Sequence, residues 1–262
     1  NRTYARKIGD GKENWFETIE RVVRGNCSLL SWRDAPSEYE ELQLKELFLQ
    51  MQALPAGRHL WVSGVQGRQF LFNCHTAGWG PELHNHFTWL FNELLKGGGV
   101  GANYSSNLSE LPLPLGKVEL YFHDPLRRLK EGELLPDPLC SPSAMGLDFE
   151  IHDSREGWVL ALQELITISQ NGGGIINFNI SNVRAAGEPI RGFGGIASGP
   201  APLCELLKGT AEILNANIGK SLSALECMEI DHQIASCVIS GNVRRSARMS
   251  ICHWNDPEIF DF

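Results

Sequence analysis

Gly64-Val-Gln-Gly-Arg-Gln-Phe-Leu-Phe-Asn-Cys-His-Thr-Ala-Gly78 holds a short apolar run, Phe70 to Phe72, followed by Asn73, Cys74, His75 and Thr76, with glycines on both sides. Three apolar β-formers are too few for a helix and predict a buried strand. Polar residues at the end of such a strand fall at a sheet edge, where α/β sheets and barrels place ligands. Outward from this stretch, helical and extended patterns alternate. Phe87 to Lys96 predicts an amphipathic helix, and Gly97 to Gly99 end it before a strand at Val100–Tyr104. A helix from Asp153 to about Ser169 has Asp153 and Glu156 at capping-box spacing and Trp158, Leu162, Leu165 and Ile166 as its apolar face. Asn171 to Gly174 stop it, and Ile175–Ile180 predicts a strand. Helices over 201–214 and 224–239 precede a last strand at Met249–Cys252. The alternation predicts an α/β fold and leaves barrel and open sheet undecided.

Residues 1–56 read as a helical N-terminal region, followed from residue 57 by the α/β part. In it, Phe16, Ile19, Val22 and Val23 share one helical face. Ser37 and Glu40 make a capping box for a helix to about Gln52, with Leu44, Leu47, Phe48 and Met51 inward. Pro55 and Gly57 end that helix, Arg58 and His59 occupy a turn, and Leu60–Val62 predicts a short strand. Residues 111–152 carry Pro112, Pro114, Pro125, Pro136, Pro138 and Pro142, which predicts an irregular insertion with at most a short strand at Val118–Phe122.

The chain has 262 residues, 42% hydrophobic and 21% charged, with a net charge of −8. That balance argues against direct nucleic-acid binding through a broad basic face, though a local nest of N–H groups can still hold a nucleotide. Seven cysteines, none in a Cys-x-x-Cys pair, and no secretory signal predict a reducing, cytoplasmic setting and no zinc or other metal site. No apolar run approaches the roughly 20 residues of a membrane span. The first residue is Asn1 rather than Met, and a piece of a longer polypeptide is expected.

Cys74 alone reads most simply as a small buried residue. Adjacent residues on a strand face opposite ways, so Cys74 and His75 make a poor hydrolase dyad. The glycine-rich loop Glu188–Pro200, which includes Arg191 and Ser198, leads into a helix N-terminus, an anion-binding arrangement. Ser240 to Arg248 concentrates Arg244, Arg245 and Arg248 between helix and strand. A solvated charge run and a phosphate contact both remain open there.

Taken together, these stretches resemble the adenosylcobalamin-dependent, class II ribonucleoside-triphosphate reductases of the monomeric type. The resemblance rests on Arg2-Thr-Tyr-Ala-Arg6, Glu13-Asn-Trp15, Arg21-Val-Val23, Gly57-Arg-His-Leu-Trp-Val-Ser-Gly64, Asn73-Cys74 and Glu93 to Gly101. It continues through Asp153 to Ala161, Gly192 to Pro200 and Gly241 to Ala247, in the family's order along nearly the whole chain. It implies a helical region followed by the first half of a ten-stranded α/β barrel. It implies replacement of a ribose 2′-hydroxyl by hydrogen through thiyl-radical chemistry, with adenosylcobalamin as the radical source. Implied partners are a ribonucleoside triphosphate substrate, a dNTP effector and a thioredoxin-like dithiol.

On these positions, Cys74 matches one of two reducing thiols, and Arg58, His59 and Asn73 fall on the substrate side. Phe193, Gly194, Gly195 and Ser198 match an effector loop, with Asp153 at a helix start nearby. Asn242, Arg244 and Arg245 match the loop that carries effector identity to the substrate. Residues 111–152 fall where the monomeric enzymes carry an insertion. No Asn-Pro-Cys-x-Glu finger loop occurs, and Cys237 and Cys252 lie in the wrong segments to replace its thiol. The expectation is therefore an N-terminal part that needs the missing C-terminal portion for turnover. A non-catalytic nucleotide-binding module is the alternative.

Overall fold

The computed structural model describes residues 4–65, 71–105, 108–126, 129, 146–189, 196–239 and 246–262. The chain divides into two compact units, Asn1–Asn73 and Cys74–Phe262. Among the described residues no helix is long and apolar enough to cross a membrane.

The first unit begins with an antiparallel hairpin of β1 (Lys7–Ile8) and β2 (Gly11–Lys12). Helix α1 (Trp15–Cys27) starts at a reciprocal Asn14–Glu17 capping box and buries Ile19, Val22 and Val23 completely. Each such side chain contributes about 1.5–3 kcal/mol. Phe16, expected on the same face, is 61% exposed. Helix α2 (Glu38–Leu49) has the expected Ser37–Glu40 capping box. It stops short of Gln52, and Leu47 and Met51 are exposed rather than inward.

The expected strand at Leu60–Val62 is instead part of helix α3 (Gly57–Val62). A three-residue strand needs a sheet partner, whereas a helical turn satisfies its own backbone, here through Leu60 N to Ala56 O and Ser63 N to His59 O. The end of α3 closes on α1 at glycines: a Cβ on Gly25 would lie 2.1 Å from the Gly64 nitrogen. Arg21 locks this seam, pairing with Glu13 at 2.7 Å and donating to the carbonyls of Ser63, Leu60 and Tyr4. Burial alone would raise the Glu13 carboxyl, but hydrogen bonds from Arg21 and the Arg6 backbone outweigh it and hold the group below its ordinary value.

The second unit contains β3 (Cys74–Ala77), α4 (Leu83–Leu95), β4 (Gly99–Asn103), β5 (Val118–His123) and β6 (Leu147–Glu150). It continues with α5 (Arg155–Gln170), β7 (Gly174–Asn179), α6 (Ala201–Ala216), α7 (Ala224–Ile239) and β8 (Ala247–Ile251). Two parallel three-stranded sheets result, in the orders β3-β4-β8 and β5-β7-β6. The four helices cover one face of the sheets, and a continuous core runs from Phe87, Leu90 and Phe91 through Leu162, Leu165 and Phe178 to Leu207 and Ile234. Parallel strands joined through helices are the α/β arrangement that the alternation predicts.

Three local expectations change. The strand begins at Cys74: Leu71 and Phe72 belong to no strand and Phe72 is 80% exposed, while Phe70 lies outside the described residues. Its start is set by pairing with β4, with Cys74 level with Gly99 where the chain leaves α4. The 111–152 stretch supplies β5, where a short strand is expected, and a second strand, β6, that is not, both paired to β7; residues 130–145 lie outside the described residues. The cap of α5 is Ser154, whose Oγ accepts from Gly157 N at 3.0 Å, and Asp153 is freed for another partner.

Candidate functional site

Alternation along β3 separates its side chains. His75 and Ala77 turn to the helix-covered face, where His75 Nε2 lies 3.8 Å from Glu93 Oε2 and its ring meets Trp89 edge-on. Cys74 and Thr76 turn to the opposite, exposed face. The parallel register sets Cys74 level with Gly99 and Ala247, and Thr76 level with Gly101 and Met249. The middle strand therefore offers only backbone on this face beside the thiol. A Cβ on Gly101 would lie 3.2 Å from Met249 Cε. Cys74 stands at the N-terminal end of its strand, in the open, next to a glycine floor that a ligand can approach at backbone distance.

Among the described residues no cysteine forms a disulfide, but the others are differently placed. Burial, reinforced by Asp231, raises the Cys227 thiol well above its ordinary value, and burial does the same to Cys237. Such thiols are poor sources of thiolate. Cys252 is raised too, by burial and by Asp256.

Within the first unit, Arg58 is buried, sits 5.5 Å over the Trp61 ring and donates from Nη2 to Asn73 Oδ1. Two of the expected substrate residues thus meet. His59 does not join them: its Nδ1 lies 2.8 Å from Asn26 Oδ1 in the α1–α3 seam.

A cavity of about 160 Å³ opens between the start of α5, the segment before α6 and the end of α7. Asp153, Arg184, Ser198 and Cys237 line it. Asp153 accepts from Arg184 Nε at 2.6 Å. Asp153 and Ser198 are therefore brought together, and Arg184 joins them. Sequence reasoning missed Arg184, though its place just after a strand end, in Ser181-Asn-Val-Arg184, was a usable signal. Phe193, Gly194, Gly195, Asn242, Arg244 and Arg245 lie outside the described residues. Their flanks do not: Cys237 and Val238 line the cavity, and Ala247 opens β8 level with Cys74. A second cavity, of about 470 Å³, lies at the carboxyl ends of β3 and β4, lined by Trp79, Asn103 and Glu110.

Residues 1–65 match the profile of the ribonucleotide reductase alpha domain, and residues 140–214 match the insertion domain of B12-dependent ribonucleotide reductase. A protein of Mycobacterium phage D29, provisionally named an adenosylcobalamin-dependent ribonucleoside-triphosphate reductase, is 42% identical over 100% of this chain and 40% of its own length. The adenosylcobalamin-dependent ribonucleoside-triphosphate reductase of Lactobacillus acidophilus is 33% identical over 98% of this chain and 41% of its own. A crystal structure described as a B12-dependent (class II) ribonucleotide reductase superposes with a TM-score of 0.79 at 30% identity, covering 100% of this chain and 42% of that one. The chain spans about 40% of the length of the curated relatives it matches.

Proposed function

We propose that this chain, a member of the ribonucleotide reductase family, forms the N-terminal part of an adenosylcobalamin-dependent reductase acting on ribonucleoside triphosphates. In this reading Cys74 is one of two reducing thiols. The ribose C2′–O bond breaks, the oxygen leaves as water, a C2′–H bond forms, and two thiols become a disulfide. Cys74 supplies one sulfur, the remainder of the polypeptide the other, and an external dithiol of the thioredoxin kind restores both by exchange. The observation that carries this reading is the exposed thiol on an uncovered parallel sheet, beside glycines that let a ribose lie close. Arg58, held by Asn73 and Trp61, is the residue for a substrate phosphate. His59 has a packing role on this reading, since Asn26 holds it.

The Asp153–Arg184–Ser198 cavity is the proposed site for a dNTP effector, with the carboxylate facing a sugar hydroxyl and the guanidinium facing phosphate. Residues 241–247 then carry the effector's identity toward the thiol edge.

When bound, adenosylcobalamin supplies the radical in such enzymes. Neither of the two cavities described above, of about 160 and 470 Å³, is large enough for a corrin with its tail.

The test is full-length protein supplied with a ribonucleoside triphosphate, adenosylcobalamin and a dithiol. Deoxynucleotide should form, and Cys74→Ser should abolish multiple turnover. Equal turnover by Cys74→Ser would overturn the role given to the thiol. Activity only with a separate radical-generating subunit would overturn the cofactor assignment.

A further inference from the structure

The reading above does not use the second cavity, of about 470 Å³. That is room enough for a purine nucleoside, and the carboxyl ends of parallel strands are where such sheets take ligands. Its walls are the segment Ala77 to Pro81, Asn103 at the end of β4, and Glu110 with Leu111. β3 is four residues long, so the cavity lies about 10 Å from Cys74, at the opposite end of the strand.

Buried groups hold one wall from behind. His86, on α4, is 1% exposed, and its ring is stacked on the Trp79 indole at 3.8 Å. His86 Nδ1 lies 3.2 Å from Gly78 O, and Nε2 lies 2.9 Å from Asp231 Oδ2. Both partners accept, so an imidazolium with a proton on each nitrogen satisfies them together. Asp231, on α7, is fully buried and also accepts from the Tyr104 phenol, which accepts from Arg248 Nη1 at 2.9 Å. Trp79 Nε1 donates to Asn103 O at 2.7 Å, which ties the Gly78–Pro81 segment to the end of β4. The indole therefore has its place in the wall before any ligand arrives.

The polar side chains of the cavity are unspent. Asn103 Oδ1 accepts from both the N and the Oγ of Ser105, which turns the amide Nδ2 away from them. Neither that Nδ2 nor the Glu110 carboxylate has a partner among the described residues. No lysine or arginine stands among the described lining residues, so nothing there holds a phosphate. An aromatic platform, an amide donor and a carboxylate with two acceptor oxygens match one base edge. Guanine offers O6 to the donor, and N1–H with N2–H₂ to the carboxylate. Adenine would turn its N1 lone pair toward an anion.

We propose that this cavity binds a guanine nucleoside, packed against Trp79 and read by Asn103 and Glu110. The site stands whether or not the chain acts as a reductase.

The test is calorimetric titration of the full-length protein with guanosine, which has no phosphate for a nucleotide site to hold. Guanosine should bind at least about tenfold tighter than adenosine. Glu110→Gln, a change at an exposed side chain, should weaken guanosine about tenfold or more. Asn103→Asp, which keeps an acceptor for Ser105 and replaces the donor by a charge, should do the same. Asp153→Ala, in the other cavity, should leave guanosine affinity within about twofold. No guanosine binding, or binding that Asp153→Ala removes and Glu110→Gln does not, would overturn the site. Adenosine bound as tightly as guanosine would overturn the base assignment, and agmatine bound as tightly would replace it with a site for organic cations. Turnover does not enter these readouts, so an inactive protein that still binds guanosine in this pattern would overturn only the reductase reading.

Discussion

The two parallel sheets of the second unit are built alike and finished differently. Each has three strands, and helices cover one face. In β5-β7-β6 the uncovered face is polar and cross-linked: Asn177 donates to Asp148 at 2.9 Å, Asn182 donates to Glu150, and Lys117 pairs with Glu119 at 2.9 Å. In β3-β4-β8 the same face carries Cys74, Thr76, Met249 and Ile251 around two glycines, with Met249 60% and Ile251 48% exposed. A sheet face that water alone will cover is given amides and carboxylates. Apolar, soft and reactive groups left in the open are the signature of a face that meets something else.

That contrast can be broken by substitution. The largest effect is expected from Cys74→Ser, which should remove dithiol-driven turnover while leaving the thermal midpoint where it was. Asp231→Ala comes next. It leaves the buried Tyr104 hydroxyl and His86 Nε2 without their carboxylate and should cost about 3–5 kcal/mol by denaturant unfolding. Gly101→Val would fill the glycine floor against Met249 and should lower kcat/KM about 100-fold through misplacement of the ligand. On the other sheet Asn177→Ala should cost only about 1 kcal/mol and leave kcat/KM unchanged. Lys117→Ala removes a pair that is mostly solvated and should move stability by less than about 0.5 kcal/mol. If Gly101→Val and Asn177→Ala changed activity equally, the functional distinction between the faces would fail.

Much of this architecture is legible from periodicity. The helices around Val22, Phe91, Leu165, Leu207 and Ile234 and the strands around Val118, Ile176 and Met249 follow from local pattern, because a buried stripe leaves a regular trace. What was not legible depends on partners far along the chain. Strand β6 exists because β7 is beside it, and β3 starts at Cys74 because Gly99 lies opposite. Asp153 and Ser154 are both good caps, and only the approach of Arg184 decides that Asp153 has other work. Arg248 read as part of a basic run, yet it is turned inward to Tyr104. Asp231 carried a signal that passed unnoticed: it lies beside Cys227, Ile230 and Ile234 on the buried stripe of α7, where a carboxylate has no business without a partner.

The thiol-bearing sheet also has a place in time. Its outer strands, β3 and β8, come from opposite ends of the second unit, and neither touches the other; both wait on β4. At about 5–20 residues per second, a ribosome needs roughly ten seconds or more to pass from Cys74 to Ala247. Non-local parallel pairing is slow in its own right. Cys74's strand is therefore made early and its sheet is closed late, so a nascent chain carries an unpaired strand edge until the segment after α7 arrives. Completion of this sheet and completion of the candidate site are one folding event.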